Sequence, residues 1–256
     1  MDLGLAGRVV VVTGGSRGIG QAIARGFWRE DARVVSLDIR PPKLETDGVA
    51  HITCDVTSPK EVAEAVSAID REHRRLDVLV NNAGVVADAP AESMSLEDWR
   101  RTFRVNVEGV LNMCQAVLPI MKRQRWGRIV NAASFAAIVP SAGASAYAAS
   151  KAAVVTFSRT LAGEVAPWAI TANAYAPGMV PTEMNGFDDL PSADREAKLD
   201  QLAIRRWGTP DEVADAVCFL ASERAGYITG TLIDISGGKL CTQMPAMAYR
   251  SSESPG

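Results

Sequence analysis

Short apolar runs rich in β-branched residues recur along the chain, and between them apolar positions repeat at helical spacing. Arg8-Val9-Val10-Val11-Val12 is the first run and Arg33–Asp38 the second; Val49–Cys54, Leu76–Val80, Arg128–Ala132, Ile170–Ala174 and Thr231–Ile235 follow. Unbroken rather than alternating hydrophobicity is the pattern of strands buried on both faces, as in a parallel sheet. Gln21–Phe27 has helical spacing, and about Ala146 to Ala166 is a run of small, helix-tolerant residues. Leu96 to about Arg123 predicts a long helix, interrupted or bent near Pro119. Two helix starts are explicit: Ser58-Pro59-Lys60-Glu61 and Thr209-Pro210-Asp211-Glu212 each give an N-cap, a proline at the first position and an acid at the third. Strand, helix, strand, repeated, predicts an α/β fold with a doubly wound parallel sheet.

No composition shift, repeat or Pro/Ser-rich linker divides the chain, so residues 1–256 read as a single domain. The segment from Thr182 to Gly208 has the mixed composition of a mobile lid, with Met184, Phe187 and Leu190 as candidate pocket contacts or ordinary packing. Periodicity fades after about Lys239, so about 240–256 reads as a loose tail. Only about ten residues, Ile39 to Gly48, join the second and third strands. Pro41-Pro42 lies among them, and a crossover helix is not expected there.

Composition narrows the function classes. A chain of 256 residues, 47% hydrophobic, can bury a large core, and its net charge of −3 argues against a nucleic-acid partner. Lys122-Arg123-Gln124-Arg125 suits the end of a helix rather than a phosphate track. No apolar run approaches the roughly 18 residues of a membrane span, and Met1-Asp2-Leu3-Gly4 does not begin a signal peptide. A cytoplasmic location without membrane attachment is expected. Cys54, Cys114, Cys218 and Cys241 follow no disulfide or metal pattern, and the only histidines are His51 and His73. No metal is expected, and a Ser-His-Asp triad has little support.

Two motifs carry chemistry. After the first strand comes Thr13-Gly14-Gly15-Ser16-Arg17-Gly18-Ile19-Gly20, which opens a helix. Strand, glycine-rich turn and helix form the context in which backbone N–H groups approach a pyrophosphate. Asp38, eighteen residues after Gly20 at the end of the second strand, is placed to bind an adenosine ribose. Farther on, Tyr147 and Lys151 are separated by one helical turn, and Ser134 lies thirteen residues before the tyrosine. A phenol titrates near ~10 and is a poor base at neutral pH, but a neighbouring cation favours phenolate.

In combination these residues resemble the short-chain dehydrogenase/reductase family, over about Gly7 to Gly238. The matching motifs are Thr-Gly-x-x-x-Gly-x-Gly at 13–20, Asn81-Asn82-Ala83-Gly84, Asn106, Ser134, Tyr147-x-x-x-Lys151 and Pro177-Gly178. The resemblance implies a Rossmann fold and an oxidoreductase acting on CH–OH groups. It makes Tyr147 the acid/base and Ser134 the holder of the substrate oxygen. Lys151 would bind the nicotinamide ribose and lower the tyrosine pKa, while Asn106 would hold a relay water. Gly14, Ser16, Arg17, Gly18 and Ile19 would contact the dinucleotide, with Asp38 on the ribose and Asp55 and Val56 at the adenine. Asn82, Ala83 and Gly84 would pass close to the adenosine side. Pro177, Gly178, the Val180 backbone and Thr182 would hold the nicotinamide half.

The expected cofactor is NAD, because Asp38 would repel the 2′-phosphate of NADP; Arg17 and Arg40 act in the opposite sense. Alcohol oxidation is the expected direction, following the cellular NAD/NADH ratio. Phe135, Ala136, Ala137, Ile138 and Val139, with Ala142 to Ala144, offer no charged anchor. A neutral secondary alcohol or ketone is therefore expected: a polyol, a cyclic alcohol or a hydroxy-acyl group. The short link at 39–48 is also found in relatives resembling dihydrodiol dehydrogenases. The enzymic alternative is an NADPH-dependent 3-oxoacyl thioester reductase, and the non-enzymic one a dinucleotide-binding regulator. Small residues Ala148, Ala149, Ala152 and Ala153, and the apolar helix near Val107–Met121, predict a homotetramer or dimer.

Overall fold

A computed structural model describes residues 2–42, 48–183, 186–187 and 190–252, with side chains to Tyr249. Seven parallel strands form one sheet: β1 (Val9–Thr13), β2 (Arg33–Asp38), β3 (Val49–Thr53), β4 (Val78–Asn81), β5 (Gly127–Ala132), β6 (Ile170–Pro177) and β7 (Leu232–Ile235). Their order is β3-β2-β1-β4-β5-β6-β7, with Val10 of β1 opposite Val34 on one side and Val78 on the other.

Alternation along β1 divides the core. Val9 and Val11 face a layer made by α2 (Pro59–His73), α4 (Gly109–Gln124) and α5 (Ser145–Val165), against Val66, Val117 and Leu161. Val10 and Val12 face α1 (Gly18–Arg29) and α7 (Pro210–Ala221), against Ile23, Phe27 and Val217. Both faces are covered, which is why the strands read as unbroken apolar runs. The chain leaves β1 toward β2 and later returns to place β4 on the opposite side. That reversal opens a crevice at the carboxyl ends of β1 and β4, where α/β sheets bind ligands.

Both explicit helix starts form. Ser58 accepts from Glu61 N at 3.4 Å, and Thr209 with Glu212 makes a reciprocal capping box. The break in the long helix is elsewhere than expected. α3 (Leu96–Phe103) widens into a π-turn at Arg104–Glu108 before α4 begins, whereas Pro119 sits inside α4. Pro119 is exposed, so water can satisfy the carbonyl that the missing N–H leaves behind.

Residues 39–42 and 48 of the short link are not helical, and residues 43–47, with Met184, lie outside the described residues. The expected lid contains α6 (Ser192–Leu199), and Phe187 packs with Met179, Leu199 and Leu202 and stacks on Trp207 at 5.4 Å. The expected loose tail is partly ordered. It forms α8 (Met247–Ser252), and Tyr249 Oη donates to Ala203 O at 2.7 Å, folding this segment back on the lid. Among the described residues, no helix is long and apolar enough to cross a membrane.

Candidate active site

The crevice is a cleft of about 710 Å³ running from Asp38 and Ile39 to Tyr147 and Lys151. Its floor is the glycine turn. Gly14 has φ +63°, and a Cβ on Gly20 would fall 2.1 Å from Gly14 O, so the turn closes only with glycine at both positions. Thr13 Oγ1 accepts from Asn82 N and Ala83 N, both at 3.0 Å, which binds this turn to the end of β4. α1 then starts at Gly18 with neither a side-chain cap nor an acid in its first turn. Uncapped N–H groups at a positive helix end suit an anion such as a pyrophosphate.

Asp38 is fixed at the cleft edge. Its carboxylate accepts from Ser16 N and Arg40 N, each at 3.2 Å, while Ser16 Oγ donates to Arg40 O at 2.9 Å. Ser16 therefore braces the acid from beneath rather than lining the cleft. Arg17 Nη1 lies 3.7 Å from Glu183. Asp55 Oδ1 accepts from Thr57 N at 2.8 Å, and Val56 packs against Gly109 of α4. A dinucleotide fits this set: a glycine cradle and open helix end for phosphates, and a carboxylate beyond them for ribose hydroxyls.

At the other end, Lys151 is buried and donates to Ala132 O at 2.8 Å, and burial pulls its pKa down to about 8. Its Nζ lies 5.7 Å from the Tyr147 ring centroid. Burial pushes the Tyr147 phenol above its ordinary range; the Ser134 hydroxyl opposes this and Asp88 adds to it. Desolvation is thus the largest influence on the phenol, and it favours the protonated form. Ser134 stands beside the phenol as the N-cap of a short 3₁₀ turn, accepting from Ala136 N at 3.1 Å.

Asn106, in the π-turn, is fully buried and does not line the cleft. Its amide donates to Val85 O and Ser150 Oγ at 3.0 Å each, and accepts from Val85 N at 2.8 Å. It thereby ties the loop after β4 to α5. Gly84 lies between Asn106 and Lys151: a Cβ there would be 3.3 Å from Asn106 Oδ1 and 3.4 Å from Lys151 Nζ.

Of the remaining expected residues, Gly14, Arg17, Gly18, Ile19, Asn82, Ala83, Gly84, Pro177 and Thr182 line the cleft together. Gly178 instead packs on Ser236 beside β7, and the Val180 side chain joins the core beneath α7. Tyr175, Arg101, Arg104 and Cys54 also line the cleft and were not anticipated. Arg101 and Arg104 with Val105 share one helical face, a spacing visible in the sequence once the helix is placed. No comparable signal marks Tyr175, which reads as one more apolar strand position.

The family model for short chain dehydrogenase matches residues 8–190. The chain is 40% identical over 243 residues to 3-oxoacyl-(acyl-carrier-protein) reductase FabG of Thermotoga maritima, covering 91% of this chain and 98% of that protein. It is 40% identical over 247 residues to D-threitol dehydrogenase of Mycolicibacterium smegmatis, covering 93% and 94%. Among solved structures, ligand-free aldohexose dehydrogenase of Thermoplasma acidophilum is similar with a TM-score of 0.87 at 37% identity, covering 91% of this chain and 94% of the other.

Proposed function

The chain belongs to the short-chain dehydrogenase family, and from that footing we propose that it interconverts a neutral secondary alcohol and its ketone with NAD. The observation that carries the cofactor choice is the Asp38 carboxylate at the cleft edge, held by Ser16 N and Arg40 N. There it can accept from both ribose hydroxyls, whereas a 2′-phosphate would meet a like charge. Two unit charges about 4 Å apart repel by about 4 kcal/mol at an effective dielectric of about 20. Bound NAD supplies the hydride acceptor. Ser134 holds the substrate oxygen, and Tyr147 takes or gives the proton at that oxygen. Lys151 holds the nicotinamide ribose, and Asn106 fixes the loop beside them. The uncharged segment after Ser134, with Ile138 and Val139 exposed, supports a neutral substrate such as a polyol or cyclic alcohol more than an anion.

The similarity to a 3-oxoacyl reductase supports a second reading, reduction of a 3-oxoacyl thioester with NADPH. One experiment separates the two. kcat/KM is measured with NAD and NADP, for wild type and Asp38→Ser, on tetritols, aldohexoses, cyclic alcohols, dihydrodiols and 3-hydroxyacyl thioesters. Preference for NAD on a polyol or cyclic alcohol, relaxed by Asp38→Ser, is the expected result. Equal or better use of NADP, or turnover of thioesters alone, overturns it.

A further inference from the structure

Tyr175 is a buried phenol in the second half of β6, beneath the floor of the cleft. It lies on β6, yet its Oη donates to Asn82 Oδ1 at 3.0 Å, just beyond the end of β4. Those strands are separated by β5, a distance of about 10 Å from two strand spacings. The β5 residue opposite Tyr175 is Ala132, whose small side chain on the same face leaves the path open.

Asn82 is the point at which β4 grips the glycine turn. Its Nδ2 donates to Thr13 O at 3.2 Å and Gly14 O at 3.1 Å. An amide can be rotated end for end, and here that rotation would set Oδ1 against two carbonyl oxygens. The Tyr175 hydroxyl, donating to Oδ1, holds the productive orientation. Burial pushes its pKa far above the ordinary range, so it remains a donor throughout the working pH. The Gly14 carbonyl and the Gly15 N–H belong to one rigid peptide plane. Fixing that carbonyl therefore fixes the direction of the turn beneath the phosphates.

We propose that Tyr175 is a positioning residue for the dinucleotide, acting through the Asn82 amide on the glycine turn. The proposal rests on reading the cleft as a dinucleotide site and does not depend on which alcohol is the substrate. Tyr175→Phe removes one oxygen and keeps the ring. Loss of a single neutral hydrogen bond raises the dinucleotide Kd about three- to tenfold. KM for the dinucleotide rises in parallel and kcat stays within about twofold.

Kd is read by fluorescence titration with NADH and with NADPH, and the shift is taken on whichever one wild type binds more tightly. A wrong cofactor assignment then appears in wild type itself, separately from the effect of Tyr175. Thermal unfolding is followed alongside. A lowered Tm with unchanged Kd and KM would reduce Tyr175 to core packing and overturn the proposal. The second arm repeats Tyr175→Phe in an Asn82→Ala background, where no further change in Kd is expected. The same fold-change in both backgrounds would show that the phenol does not act through Asn82.

Discussion

Opposing influences meet at Tyr147: burial holds its proton on, while the Ser134 hydroxyl favours its release. A group so placed can donate a proton, as proposed for it at the substrate oxygen. Tyr147→Phe removes the transferable proton with little change in packing, so kcat should fall by about 10²–10⁴ while NADH binding is retained. A variant keeping more than about a tenth of wild-type kcat would exclude the assignment. Lys151 gives a pH prediction of definite sign. Its folded pKa of about 8 lies below the unfolded value of 10.5, so between them the unfolded chain binds more protons and stability rises with pH. Relative to Lys151→Met, wild type should gain up to about 3 kcal/mol between pH 7 and pH 10.5 in urea titrations. A difference that is flat across this range would mean the ammonium is better solvated than its burial implies. These residues were legible because their motifs are local, four or thirteen residues apart. Tyr175 was not, since its partner Asn82 is 93 residues away across an intervening strand.

Segment types, and most of their limits, follow from local chemistry, but the long helix shows where that reasoning fails. Proline marked Pro119 as its weak point, yet the helix passes through it on an exposed face and changes pitch at Arg104–Glu108 instead. Val105, Asn106 and Val107 are only weak helix formers, far less disruptive than proline, so propensity alone does not put the break at Arg104-Val105-Asn106-Val107-Glu108. The wider turn accompanies a tertiary demand: Asn106 satisfies both backbone groups of Val85 and also Ser150. π-turns are frequently found at functional sites, and this one fixes the loop between Gly84 and α3. Asn106→Asp keeps the shape but cannot donate to Val85 O and Ser150 Oγ. Leaving the part-buried Val85 carbonyl without a donor costs about 1–3 kcal/mol, while Ser150 Oγ keeps its bond to Tyr147 O. Chemical denaturation should show a loss of that order, with kcat falling as the wall beside Lys151 loosens. Wild-type stability together with wild-type kcat would mean the π-turn is held without Asn106.

For the molecule as a whole, the parallel sheet was readable because its central strands are buried on two faces, whereas the partly ordered tail was not, because Tyr249 reaches Ala203 only after folding. The surface raises the question of assembly. α4 and α5 cover one face of the sheet, yet α5 turns Ala149, Ala152, Thr156, Thr160 and Gly163 outward, together with Arg159 and Glu164; of the alanines expected on that face, Ala148 is buried and Ala153 half-buried. Beside them α4 exposes Leu111, Gln115 and Pro119. Small outward residues on one helix and an exposed leucine on the next permit close helix packing, and a two-fold axis matches this patch to itself. A second patch belongs to the other face, where Phe219 of α7 is 40% exposed and Tyr227, shortly before β7, is wholly exposed. If each patch pairs with its own copy, the two contacts generate two axes, and two axes close a tetramer. We therefore expect light scattering at micromolar concentration to give four times the chain mass of 27.2 kDa, or twice that mass if only one patch engages. Ala152→Glu should disrupt the α4–α5 contact and Tyr227→Ser with Phe219→Ser the other, each reducing a tetramer to a different dimer, and all three substitutions together giving a monomer. A wild type that is monomeric under these conditions would refute the assembly, and the outward alanines would then be only small residues on a solvated helix.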